Sequence, residues 1–146
     1  QVVATGNQIV DRVMHEMAID SLADTPLEAL SGGQQQRAWI AMILAQDTDI
    51  IMLDEPTTYL DISYQIELMR LILELKDKGK SIIVVLHDLN QAARYCDLLV
   101  VLKSGELQMM GSPHEVMTEG MLADIFDVQA KVITDPVAGS PMCVYL

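Results

Sequence analysis

Two short apolar runs, Ile50-Ile51-Met52-Leu53 and Ser81-Ile82-Ile83-Val84-Val85-Leu86, each stop abruptly at polar residues. Asp54-Glu55-Pro56 follows the first and His87-Asp88 follows the second. Unbroken apolar runs of this length, rich in β-branched residues, are the pattern of strands covered on both faces, as in a parallel sheet. Between them Ile62, Ile66, Met69, Ile72 and Leu73 recur at helical spacing, from about Ile62 to Lys78, and Gly79 ends the stretch. Strand, helix and strand in that order predict an α/β layered fold. They also put a histidine and two adjacent carboxylates at the ends of strands separated by one helix.

The rest of the chain continues the alternation. Ile9, Val10, Val13, Met14 and Met17 predict an amphipathic helix over residues 8–19, and Pro26 closes the connection after it. Ser31-Gly32-Gly33 opens a second helix that runs to about Gln46. A short helix over 89–95 precedes a strand from Leu98 to Leu102. Ser104-Gly105 turns that strand into another around Glu106 to Met110. Ser112-Pro113-His114-Glu115 combines a capping serine, a proline in the first turn and a glutamate three residues after the cap, which marks a helix start. A helix over about 119–127 follows, and the tail 128–146 predicts two strands around Asp135-Pro136-Val137-Ala138-Gly139.

Composition narrows the functional classes. Nine basic against 21 acidic residues leave a net charge of -12, which argues against a nucleic-acid or anionic-lipid footprint. Cys96 and Cys143 have neither CxxC spacing nor a histidine cluster, so we expect two buried, reduced thiols and no zinc. No apolar run approaches the ~20 residues of a membrane span, and no signal-peptide pattern opens the sequence. A membrane would enter through a partner. The sequence opens at Gln1 rather than at a methionine, and we expect a portion of a longer protein.

Four constellations carry chemistry. At Leu30-Ser31-Gly32-Gly33-Gln34, a hydroxyl and two glycines sit where a helix begins. Free N–H groups and the positive end of the helix dipole favour an anion there, and glycine lets the backbone approach a phosphate. Ser-Gly-Gly alone favours a plain helix cap. Asp54-Glu55 ends an apolar strand, where two carboxylates are costly unless a cation or a hydrogen-bond network uses them. Leu60-Asp61 follows closely, and Asp61 is also a natural N-cap for the long helix. His87 can accept or donate a hydrogen bond near a phosphate, although a lone strand-end histidine is more often structural. His15 and His114 read as solvated helix residues.

The pentad, with Gln35-Gln36-Arg37 behind it, resembles the signature motif of ATP-binding-cassette ATPases. The strand running into Asp54-Glu55 resembles that family's Walker B strand with its catalytic glutamate. Thr58-Tyr59 stands where Ser or Thr followed by Ala is commoner in the family, but Leu60-Asp61 matches its dimer-crossing loop. His87 resembles the family's switch histidine. The resemblance implies a partial P-loop NTPase core with mainly parallel strands flanked by helices, plus part of the helical subdomain. It divides the chain into residues 1–46, with the signature and its helix, and residues 47–146, the C-terminal half of the ATPase core. It implies Glu55 and His87 as catalytic residues, and Asp54 at Mg²⁺. Ser31, Gly32, Gly33, Gln34 and Asp61 would bind ATP. The stretches Gln34–Met42, Thr57–Ile62, His87–Ala92 and Asp135–Pro141 look most like importers of iron–siderophore complexes, with haem and cobalamin importers as near relatives. Such importers pair two ATPase subunits head to tail. They dock these on transmembrane permease subunits at the cytoplasmic side of the cell membrane and serve an external substrate-binding protein.

No Gly-x-x-x-x-Gly-Lys-Ser/Thr occurs in the 146 residues, because Gly79-Lys80-Ser81 has Glu74 where the first glycine belongs. The family's adenine-stacking aromatic and glutamine loop are also missing. We therefore expect half of a nucleotide site and no ATP hydrolysis by this chain alone. Two other readings stay open: a non-catalytic regulatory module, and a soluble ATPase of the same family without a transport role.

Overall fold

The computed structural model of the chain describes residues 6–58 and 60–146. Tyr59, named above beside Leu60-Asp61, lies outside the described residues. The elements run α1 (Gly6–Glu16), α2 (Gly32–Ala45), β1 (Ile50–Asp54), α3 (Ile62–Asp77), β2 (Ser81–Val85) and α4 (Leu89–Tyr95). They continue as β3 (Leu99–Lys103), β4 (Glu106–Gly111), α5 (Pro113–Val116), α6 (Glu119–Phe126), β5 (Ala130–Thr134) and β6 (Pro141–Tyr145). Short 3₁₀ turns at Asp20–Leu22 and Leu27–Ala29 connect α1 to α2. Two compact units result: residues up to Leu53 with Thr57–Ile83, and Asp54–Pro56 with Val84–Leu146.

In the first unit α1 packs on α2. Val13 and Met17 are buried, as are Ile40, Ala41 and Leu44 of α2 and Leu68, Met69, Ile72 and Leu75 of α3. The apolar spacing predicts one helix to residue 19, but α1 ends at Glu16. Ala18 takes a left-handed conformation at φ 54°, and the N–H of Ile19 bonds the carbonyl of Met14 at 2.9 Å. These are the marks of a Schellman stop, and Ile19 is still carried into the core. The face of α3 also differs from expectation. Ile62 and Ile66 are exposed while Leu68 and Leu75 are buried. The helix is apolar on more than one side, so its period alone does not choose the stripe.

β1 and β2 form a two-stranded sheet. The bonds Ser81 N–H to Asp49 C=O at 2.9 Å and Glu55 N–H to Val85 C=O at 3.1 Å advance together along both strands, so the pair is parallel. Cover on both faces was expected. Ile51 is buried, but Ile50, Met52, Ile83 and Val85 are exposed, so one face is covered and the other is not.

The second unit holds two antiparallel hairpins at the predicted turns. Ser104 at φ 54° and Gly105 at φ 80° make the left-handed pair that suits a tight β3–β4 connection. In β3, Leu99 and Val101 point into a core with Ala93, Val116, Met117, Met121, Leu122, Ala130 and Cys143. The start of α5 follows its sequence signal: Glu115 accepts from the N–H of Ser112 at 2.8 Å and from its hydroxyl at 2.7 Å. These bonds hold the Glu115 carboxyl below its ordinary value.

Candidate functional site

At the end of β1 the backbone reverses its handedness. Glu55 sits at φ 47°, a conformation costing roughly 1–2 kcal/mol for a residue with a Cβ, and its N–H is held by Val85 of β2. Strain of this kind persists only where the surroundings over-determine it, and it gathers at functional sites. The left-handed step aims the Glu55 side chain at His87, whose Nε2 lies 2.7 Å from Glu55 Oε1. The His87 side chain is 72% exposed and that of Glu55 41% exposed. A pair so open to solvent adds little to stability. Asp54 is exposed beside it. Among the described residues no group of three or more metal-ligating side chains assembles. A single carboxylate is nevertheless a fitting donor for Mg²⁺, a hard cation that takes one or two carboxylates and completes its shell with waters and substrate phosphates.

The glycine-rich segment lies in the first unit. Ser31 is the N-cap of α2, and its hydroxyl accepts from the N–H of Gln34 at 3.4 Å. The Gln34 side-chain oxygen accepts from the N–H of Ser31 at 3.0 Å, closing a capping box. Ser31 and Gly32 are exposed and Gly33 is buried. A Cβ on Gly33 would meet the ring of Tyr64 at 2.5 Å, so this glycine is required by the close approach of α3. The cap reading of Ser31 thus holds, and the exposed N–H end of a 14-residue helix remains an anion-favouring surface. Asp61 occupies the N-cap position of α3 but its side chain makes no capping bond. The turn is held instead by Gln65, whose side chain donates to the Leu60 carbonyl at 2.9 Å.

Of the residues singled out from sequence, the structure brings Glu55 and His87 into contact beside Asp54, and gathers Ser31 to Gln34 at one helix start. Sequence reasoning missed three supporting side chains. Gln35 donates to the carbonyls of Leu27 and Leu30 at 3.0 and 3.2 Å, tying the segment before the cap to α2. Arg37 pairs with Glu67, joining α2 to α3. Asn90 exchanges two hydrogen bonds with the backbone of Cys143. In the first and third, the partner is a backbone group, which leaves no mark on the residue types along the chain.

Residues 4–58 match the ABC transporter family. The chain is 49% identical over 140 residues to the ferric enterobactin transport ATP-binding protein FepC of Escherichia coli (strain K12), covering 95% of this chain and 52% of that protein. It is 46% identical over 138 residues to the petrobactin import ATP-binding protein FpuD of Bacillus anthracis, covering 94% and 50%. The chain therefore spans about half the length of the curated relatives it matches. Its fold superposes with a TM-score of 0.84 on a metal-chelate type ABC transporter solved in an inward-facing conformation, at 23% identity, covering 95% of this chain and 57% of that one. With close to half of its residues shared along nearly its whole length, this chain belongs to the ABC transporter family, as a relative of its ATP-binding proteins.

Proposed function

We propose that this chain is the C-terminal portion of the ATP-hydrolysing subunit of an importer, and that the import system serves an iron–siderophore complex. The observation that carries the reading is the 2.7 Å contact of Glu55 with His87 at a strained strand end beside Asp54. In the proposed reaction the Glu55 carboxylate accepts a proton from the attacking water as its oxygen bonds the γ-phosphorus. The bond from that phosphorus to the bridging oxygen breaks, and ADP leaves. His87 donates from Nε2 to Glu55 and so fixes the direction in which the carboxylate faces. Asp54 would hold Mg²⁺, which when bound neutralises charge on the β- and γ-phosphates. Ser31, Gly32, Gly33 and Gln34 would meet the γ-phosphate of ATP held by a second subunit, with Asp61 near the junction. Residues 1–46 would be part of the helical subdomain that meets the transmembrane permease subunits. An external binding protein would act indirectly, and nucleic acid has no part. The subunit would sit at the cytoplasmic side of the cell membrane through its permease. The cargo reading is supported by relatives named for enterobactin and petrobactin transport.

The test uses the complete subunit. Glu55→Gln keeps the side chain's shape but accepts no proton, so turnover should fall by about 10²-fold or more while ATP binding survives. Near-normal phosphate release would remove Glu55 from the base role. The 146-residue chain by itself should release no phosphate above the level of its own Glu55→Gln variant.

A further inference from the structure

The tail hairpin is joined to the segment that follows His87 by the side chain of Asn90, with Arg94 of α4 3.7 Å from Asp135 in the hairpin turn. Flanking bonds run from Asp135 N–H to Ser140 C=O and from Leu146 N–H to Gln129 C=O. Counted in steps of two from either bond, Cys143 opposite Val132 falls at a non-hydrogen-bonded pair. Its N–H and C=O therefore turn away from β5, toward the open edge of β6. Asn90 takes both: its Oδ1 accepts from Cys143 N–H at 2.7 Å and its Nδ2 donates to Cys143 C=O at 3.1 Å. The amide side chain stands in for one residue of a neighbouring strand. The backbone N–H of the same Asn90 donates to the Asp88 carboxylate at 2.8 Å, and Gln91 N–H adds a second bond at 3.0 Å. Asp88 is the N-cap of α4 and directly follows His87. Asn90 thus grips the tail strand with its side chain and the cap beside His87 with its backbone.

We propose that Asn90 is a positioning residue for His87, and that the tail hairpin β5–β6 holds the His87–Glu55 pair in register through it. Tyr145 supports the proximity on which this depends. Its hydroxyl is pushed up to about 12, first by a hydrogen bond with the Cys143 side chain, then by burial and by the charges of Cys143 and Asp88. The Cys143 side chain is also buried against Ala93 of α4 in the core of this unit. The start of α4 is therefore tied to the tail strand by Asn90 and by the shared core of Ala93 and Cys143. The inference rests on the reading of His87 as a site residue.

The experiment compares Asn90→Leu, Asn90→Asp and His87→Ala in the complete subunit. Leucine removes both backbone bonds to Cys143 and the one that the Cys143 thiol donates to Oδ1 at 3.1 Å, and aspartate keeps the acceptor for its N–H and thiol. Asn90→Leu should lower kcat for ATP by roughly tenfold to a hundredfold, the range expected when a reacting group is displaced by about 1 Å, with KM within about twofold of the parent. Asn90→Asp should fall between. The imidazole resonances of His87 should move in Asn90→Leu and move less in Asn90→Asp, a response that general loss of stability would not produce in folded protein. Unmoved His87 resonances in either folded variant would overturn the proposal, as would parental kcat in a background where His87→Ala abolishes turnover. Normal turnover in His87→Ala would instead sink the catalytic role of His87, and the resonances would still decide whether Asn90 positions it.

Discussion

Single residues here do work that their type alone does not announce. Gly33 sits inside a helix, where glycine is about 1 kcal/mol worse than alanine, yet the Tyr64 ring leaves no room for a Cβ. Gly33→Ala should therefore destabilise the folded chain by about 1–3 kcal/mol rather than stabilise it. In a Tyr64→Ala background the same substitution should cost almost nothing, because the two changes share one contact. Denaturant midpoints for the four proteins check this, and equal costs in both backgrounds would refute it. Asp135 is a second case. Its carboxylate accepts from the N–H groups of Val137 and Ala138 at 2.8 and 3.2 Å, with Arg94 3.7 Å away. These bonds, the one from Val137 foremost, lower its pKa. A carboxyl with a lowered folded pKa contributes stability that is fully present above its unfolded value of about 4 and is lost as pH falls through the folded value. Asp135→Asn should lower the melting temperature at pH 7, with the difference from the parent narrowing as the solution is acidified below about pH 4. A difference independent of pH would show that the charge is immaterial.

Elements are held by a few fully buried side chains. Leu122 of α6 has no exposed surface and lies in the core of the second unit with Leu99 and Val101 of β3 and Cys143 of β6. Truncating it to alanine removes three carbons and leaves a void among residues of several elements, so Leu122→Ala should cost about 2–5 kcal/mol. Thermal or denaturant unfolding measures that directly, and a loss under about 1 kcal/mol would mean that the helix collapses into the space. At the same scale, boundaries set by local chemistry were legible. Ser31, Ser112-Pro113 and Gly79 mark element ends through bonds or backbone angles that span only a few residues. The early stop of α1 was not legible, because Ala18 carries no preference for the left-handed conformation it adopts.

For the molecule as a whole, uncovered apolar surface is the prominent physical fact. Val100, Leu102, Leu107 and Met110 of the β3–β4 hairpin are all more than half exposed, as are Ile50 and Met52 of β1 and Ile83 of β2. Contiguous apolar surface on strands promotes association. The 146-residue chain studied alone should therefore self-associate as its concentration rises, seen as growing mass by light scattering. A strict monomer across the concentration series would contradict this.

By itself the sequence determined the order and type of the elements, the two hairpin turns and the caps at Ser31 and Ser112, because hydrophobic period and capping chemistry act over a few neighbours. It also named Asp54, Glu55 and His87, because polar residues closing apolar strands stand out along the chain. Only the tertiary structure decided the rest. Which stripe of α3 is buried depends on what packs against it. The left-handed backbone at Glu55 comes with a bond from its N–H to Val85, a partner thirty residues on. The grip of Asn90 on Cys143 joins residues far apart in sequence through backbone atoms that every residue possesses. Such contacts are set by where folding brings the chain together, which no pattern of residue types in either segment records.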